Sequence, residues 1–194
     1  MTLQRPRKPA AGSVRIIGGH WRGRRLRFPD RAGLRPTGDR LRETLFNWLQ
    51  PHCAGARCLD LYAGSGALGF EAASRGAARV TLVERDAVTA AALRANQAAL
   101  DTGQAKLEIV EAEALAWLES APQTQDIVFL DPPFAAAALA PVFAALETRG
   151  WLGAGSWIYV EAAREQAVPA APETWSRYRE MTAGAVHCLL FRRI

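Results

Sequence analysis

The sequence predicts an α/β fold: a mostly parallel seven-stranded sheet with helices on both faces, finished by a C-terminal antiparallel hairpin and preceded by a small basic N-terminal hairpin and helix. Three observations predict it. From Arg57 to Val160, short apolar runs alternate with helical patterns, the signature of right-handed βαβ crossovers and a sheet covered on both sides. The first of those runs passes directly into a glycine-rich turn and a helix. Near the C-terminus the alternation stops, and two β-rich stretches flank Gly184.

Residues 1–13 are rich in Pro, Arg and small residues with almost no large apolar side chain, which predicts a disordered basic tail. Val14–Phe28 carries short apolar stretches around Gly18, Gly19 and Gly23 and reads as a β-hairpin. From Asp39, Leu41, Leu45, Trp48 and Leu49 form the stripe of an amphipathic helix, with Thr37 or Asp39 placed to cap its first turn and Pro51 to end it. Strands follow at 57–61, 79–84, 106–110, 125–130 and 156–160, with helices at 67–75, 87–101, 112–120 and 138–148 between them. Trp175–Thr182 and Ala185–Arg192 complete the sheet. The division expected is a tail at 1–13, a basic extension at 14–52 and a main domain at 53–194.

With 194 residues, 49% of them hydrophobic, the chain is long enough to bury a core without covalent staples. Cys53, Cys58 and Cys188 form no C-x-x-C pair and have no His at metal spacing, so they read as buried thiols in a reducing cytoplasm, with no metal site. The longest apolar run, Phe134–Leu146, is broken by Pro141 and too short to span a bilayer. No apolar segment of a signal peptide follows the basic N-terminus. His20, His52 and His187 have no partners in the sequence and read as structural or surface residues.

Charge is placed unevenly. Residues 1–42 hold 12 of the 24 Arg and Lys against two acids and are +10, whereas the other 152 residues, with 12 cations and 17 acids, are −5. A basic arm on an acidic body points to a polyanionic partner, because neutralised phosphates release counterions. Arg22, Arg24 and Arg25 on the hairpin are candidate contacts to such a partner.

The run CLDLYAGSGALGFEA contains Gly64-x-Gly66-x-x-Gly69, a turn that lets the backbone approach a ligand at a helix N-terminus. Glu84, 20 residues after Gly64, stands where a carboxylate can accept hydrogen bonds from ribose hydroxyls. This pattern fits both nicotinamide-type cofactors and S-adenosylmethionine. Asp60 at the end of the first strand tilts the choice, since a carboxylate repels a pyrophosphate and suits an ammonium and a sulfonium. Glu113, just past the third strand, is placed to accept from an adenine amino group. The candidate cofactor residues are Asp60, Tyr62, Ala63, Gly64, Ser65, Gly66, Glu84, Arg85, Glu113, Ala114 and Asp131.

Asp131-Pro132-Pro133-Phe134 follows the apolar run Ile127–Leu130. The two prolines fix φ and remove two backbone donors, leaving a rigid turn rich in acceptors. An amino group on a base is a poor nucleophile because its lone pair is delocalised into the ring. The Asp131 carboxylate and Pro132 carbonyl can each accept one of its N–H groups, and Phe134 can stack on a flipped base.

DLYAGSGALGFEA, VERD and DPPF together resemble the class I methyltransferases, Rossmann-like enzymes that act on amino nitrogens. The front segment, RIIGGHWRGRRL followed by RPTGDRLRETLFNWL, resembles the RsmD family of 16S ribosomal RNA guanine-N2 methyltransferases. The resemblance runs from about Val14 to the C-terminus. It implies S-adenosylmethionine as cofactor and, as substrate, guanine 966 of the small-subunit RNA in an assembled or nearly assembled 30S particle. It also implies that Arg35, Thr37, Arg40 and Arg42 lie near the cofactor and target entrance, where they are expected to contact the RNA; the enzyme is expected to be cytoplasmic and a monomer. An adenine-N6 DNA methyltransferase is the alternative, because the same turn handles an adenine amino group; no separate target-recognition domain favours it. A non-catalytic RNA-binding factor is a third reading, against which stands the intact DPPF turn.

Overall fold

The computed structural model describes residues 11–29, 38–100, 105–132 and 136–194. A two-stranded hairpin, β1 (Ala11–Arg15) and β2 (Arg25–Pro29), precedes α1 (Asp39–Cys53). The main sheet is built from β3 (Arg57–Asp60), β4 (Arg79–Glu84), β5 (Lys106–Glu111), β6 (Gln125–Leu130), β7 (Leu152–Ala163), β8 (Trp175–Ala183) and β9 (Val186–Arg193), with spatial order β5-β4-β3-β6-β7-β9-β8. The first five of these in the sheet pair in parallel, and β9 and β8 close it antiparallel. Helices α2 (Ala67–Ser74), α3 (Ala87–Ala99), α4 (Ala114–Trp117) and α5 (Ala136–Thr148) form the crossovers.

Covered strands read as continuous apolar runs because both faces are buried. In β6, Ile127, Val128, Phe129 and Leu130 are all fully buried. Their alternate side chains feed two cores. Phe129 joins Tyr159, Leu82 and the side chains of α1, α2 and α3 on one face, while Val128 and Leu130 join α4 and α5 on the other. The order reverses beside β3, so the carboxyl ends of β3, β4 and β6 converge on one rim, the usual ligand position in an open α/β sheet.

Several boundaries differ from expectation. Strand β1 begins at Ala11, inside the stretch read as a tail; residues 1–10 lie outside the described residues. Helix α1 runs through Pro51 to Cys53, because a proline in the last turn forfeits one hydrogen bond while Leu49 and Cys53 continue the buried stripe. Its N-cap is Gly38, with no side-chain cap, and Asp39 instead pairs with Arg42 and Arg15. Helix α4 is a single turn, shorter than the 112–120 expected. Strand β7 starts at Leu152, where Gly153 and Gly155 gave no strand pattern and a register shift lies opposite residues 125–127.

Hairpin and α1 are not a detached extension. Val14, Ile16, Trp21, Leu26 and Phe28 share the α1-side core with Leu45, Phe46 and Leu49. Cys53, Cys58 and Cys188 are buried free thiols. Among the described residues no helix is long and apolar enough to cross a membrane, and no cluster of His, Cys, Asp and Glu could hold a metal.

Candidate active site

Strand β3 delivers its chain into a turn that only glycine can make at two points. Gly64 and Gly66 have φ of 50° and 77°, and Gly66 is the N-cap of α2. A Cβ on Gly66 would fall 2.5 Å from Phe70 of α2 and 2.7 Å from Leu93 of α3, and one on Gly69 would fall 2.8 Å from Leu82, so the turn packs against these helices and α2 presses onto β4 without a side chain between. Ala63 N–H donates to the Val83 carbonyl at 2.9 Å, and Gly66 N–H to the Ala63 carbonyl at 2.7 Å. Ser65 is buried inside this turn.

Asp60, at the end of β3, is 2% exposed and accepts a hydrogen bond from Gly69 N–H at 2.9 Å. Burial pushes its carboxyl up to about 7; the Gly69 bond opposes the shift and the nearby Glu84 charge adds to it. Such an acid is poised for a positive charge. A sulfonium and an ammonium fit this rim, and a pyrophosphate does not.

The raised value has a consequence for stability. The folded protein keeps the Asp60 proton between its unfolded value near 3.8 and about 7, so the ligand-free protein loses stability as pH rises through that window. Asp60→Asn removes the loss. At pH 8 the variant is expected to exceed the parent by up to about 4 kcal/mol, from roughly three units at about 1.4 kcal/mol each, and to match it near pH 4. Urea unfolding at both pH values checks this; parallel pH profiles for parent and variant would sink it.

Glu84 ends β4 and is held by two backbone donors, Gly64 N–H at 2.9 Å and Asp86 N–H at 2.8 Å. These fix the carboxylate against the glycine turn from the next strand. Arg85 is exposed beside it, and Tyr62 is half-buried. Burial raises the Tyr62 hydroxyl to about 12, with Glu113 adding to the shift and Arg85 opposing it, so the three groups share one neighbourhood. Glu113 is exposed and caps α4, accepting Ala116 N–H at 2.8 Å, while Ala114 behind it is buried. Asp60, Tyr62, Glu84, Arg85 and Glu113 are thus brought to one rim from three strand ends.

Asp131 and Pro132 follow β6 and are half-buried. Asp60 pairs with Phe129 in register and Leu61 N–H donates to the Phe129 carbonyl at 3.1 Å, so the chain entering the glycine turn and the chain entering Asp131 leave the sheet from neighbouring strands. Pro133 and Phe134 lie outside the described residues, as do Arg35 and Thr37.

Arg22, Arg24, Arg25 and Arg40 are exposed. Arg24 also donates to the Ala99 carbonyl at 2.7 Å, and Arg25 to Ser13 Oγ at 3.1 Å. Arg42 corrects an expectation. It is fully buried, 2.7 Å from Asp39, 3.5 Å from Glu71, and donating to the Arg15 carbonyl at 2.9 Å, so it holds α1 to the body and presents no surface to a nucleic acid.

The partner, Glu71, stands on the otherwise apolar helix α2. It is fully buried, accepts Ile17 and Gly18 N–H at 2.8 Å each, and takes the Arg75 guanidinium at 2.8 Å. Ser74 donates to the Gly18 carbonyl at 2.6 Å and accepts Trp21 N–H at 2.9 Å. Gly19, at φ 74°, lies so close to the Ser74 carbonyl that no Cβ fits. The basic hairpin is therefore bolted to the helix that begins at the glycine turn. A charged residue on an otherwise apolar helix, in EAAS, was the only sequence signal.

A family model described as conserved hypothetical protein 95 matches residues 14–192. The chain is 47% identical over 191 residues to ribosomal RNA small subunit methyltransferase D of Escherichia coli strain K12, covering 98% of this chain and 96% of that protein. The protein of that name from Haemophilus influenzae is 43% identical over 186 residues, covering 94% of this chain and 95% of the relative. Among solved structures, one described as putative methyltransferase yhhF from Escherichia coli superposes with a TM-score of 0.86 at 46% identity, covering 94% of this chain and 98% of that one. Full-length coverage in both directions, with the glycine turn, the DPPF turn and the front segment all inside it, means that the chain belongs to the conserved hypothetical protein 95 family, that of the RsmD methyltransferases.

Proposed function

We propose that the protein uses S-adenosylmethionine to methylate the exocyclic N2 amine of a guanine in 16S ribosomal RNA, the position corresponding to guanine 966. The observation that carries the reading is the adjacency of two strand ends: β3, which runs into the glycine turn, lies beside β6, which runs into Asp131 and the DPPF turn. The cofactor, when bound, supplies an electrophilic methyl group on a sulfonium. Asp60 and Glu84 would hold its cationic and ribose parts, with Ala63, Gly64, Ser65 and Gly66 bringing backbone close and Tyr62, Arg85, Glu113 and Ala114 lining the adenine side.

The remaining work belongs to this chain's own acceptors. Asp131 and the Pro132 carbonyl each take an N–H of the base amine, which draws the nitrogen toward sp³ geometry and aims its lone pair. Pro133 stiffens the turn, and Phe134 stacks on the flipped base. The relatives' names point to the small subunit, and the basic arm suits an RNA-rich surface; both support a 30S subunit or late assembly intermediate as the substrate, and our reading takes the enzyme as a cytoplasmic monomer. Labelling 30S subunits that lack the modification with methyl-tritiated cofactor and mapping the labelled nucleotide tests the reading. Label on a DNA adenine instead of on RNA would replace it with the adenine-N6 alternative.

Exposed Arg22, Arg24 and Arg25, with Arg40 at the start of α1, would contact phosphates, together with Arg35 and Thr37. Changing Arg22, Arg24 and Arg25 together to Gln is expected to weaken 30S binding and to reduce the log–log salt slope by up to about three. Filter binding across a salt series reads both quantities. Parent affinity and slope in the triple variant would reduce the arm to a solubility feature.

A further inference from the structure

Beyond the last register pair of β6 and β7, Leu130 with Val160, the next positions on the two parallel strands are Asp131 and Glu161. Neighbouring strands lie about 4.8 Å apart, so Asp131, one residue past the end of β6, comes to the rim next to the β7 position of Glu161, and both charges bear on Tyr159. Their side chains follow Phe129 and Tyr159 to the α1 face of the sheet, since residues two apart share a face. Glu161 is 7% exposed. The Tyr159 hydroxyl donates to its Oε2 at 3.0 Å and lies 3.1 Å from Cys188 Sγ, on the strand that pairs with Glu161.

Burial, followed by Glu161, then Cys188 and Asp131, drives the Tyr159 hydroxyl well above its ordinary range, so it stays a neutral donor and orients the carboxylate. A buried carboxylate costs several kcal/mol that an apolar residue at the same place avoids.

We propose that Glu161 is a specificity-determining residue that accepts the N1–H of the target guanine while Asp131 accepts an N–H of its N2 amine. The inference rests on the guanine-N2 reading above. Guanine offers N1–H and N2–H as neighbouring donors on one edge, which two adjacent carboxylates match. Adenine offers an amine beside an N1 lone pair, and a carboxylate facing that lone pair is an acceptor against an acceptor. A buried polar mismatch of this kind discriminates far more strongly than shape.

The test uses the full-length enzyme and 30S subunits reconstituted with RNA carrying either guanine or 2-aminopurine at the target. 2-Aminopurine keeps the C2 amine but presents N1 as an acceptor. The parent is expected to prefer guanine by at least about 100-fold in kcat/KM. Glu161→Gln, whose amide can donate to N1, is expected to lose on guanine and to bring the preference below about tenfold. Tyr159→Phe, which releases the carboxylate, is expected to shrink the preference about 3–10-fold, and it serves if the Gln variant does not fold. An unchanged preference in a folded Glu161→Gln, or in Tyr159→Phe where that variant alone folds, overturns the assignment and leaves the guanine-N2 reading standing. A parent that accepts 2-aminopurine as readily as guanine also overturns it. Failure of the parent to place methyl on N2 of guanine overturns the reading beneath it instead.

Discussion

Asp131→Ala is expected to lower the single-turnover rate of methyl transfer by on the order of 10²–10³ while changing cofactor affinity much less. The asymmetry follows from where the carboxylate stands. Asp131 lies beyond β6, whereas Asp60 and Glu84 are the carboxylates that hold the glycine turn, through Gly69 and Gly64 N–H. As an acceptor for the base amine it matters most when the nitrogen pyramidalises, so its loss falls on the transition state and hardly on the ground state. Single-turnover rates at saturating cofactor and 30S, beside a calorimetric dissociation constant for the cofactor, separate the two. A variant transferring methyl at the parent rate would reduce the DPPF turn to a proline-stiffened corner.

The second large effect concerns stability. Glu71→Ala strips the acceptor from two backbone N–H groups and leaves the Arg42 and Arg75 guanidiniums without their shared carboxylate. Breaking a buried ion pair by removing one partner costs about 3–5 kcal/mol. We expect urea unfolding of Glu71→Ala to show a loss of that size. Glu71→Gln should lose less, because its amide oxygen still accepts one of the two N–H groups. Hydrogen exchange at the Ile17, Gly18 and Trp21 amides reports the docking, since these donate to Glu71 and Ser74. Faster exchange at those amides than in the sheet is expected in the Ala variant, as the hairpin leaves α2 first. A loss under about 1 kcal/mol would mean that the network is dispensable.

The same network links the RNA-facing arm to the cofactor turn. Glu71 sits within α2, whose N-terminus is Gly66 and whose last turn receives Gly18 and Trp21. Gly19 is required by that contact, because a Cβ there would meet the Ser74 carbonyl, while Gly18 lies against the Arg75 guanidinium, which a side chain could displace. In the sequence these glycines read only as hairpin turn residues. Their partner lies more than 50 residues away.

Periodicity alone determined the order and type of the strands and helices, because a parallel strand buried on both faces must be a continuous apolar run and its crossover helix must carry a stripe. Ile127–Leu130 and the Leu41, Leu45, Leu49 series show it directly. The placement of the glycine turn, Asp60, Glu84 and Asp131 at strand ends was legible too, since each follows from local spacing within its own strand–turn–helix unit. What tertiary structure alone decided were pairings between distant segments. Arg42 read as an RNA contact and is a buried anchor, since a charge next to an apolar stripe looks the same in sequence whether water or Glu71 faces it. The neighbouring of Asp131 and Glu161 is set by the register of β6 on β7, through a bulge at residues 125–127 that no local pattern announces. Local chemistry is written in the order of residues; register and long-range charge pairing are settled only when the sheet closes and its partners lose water.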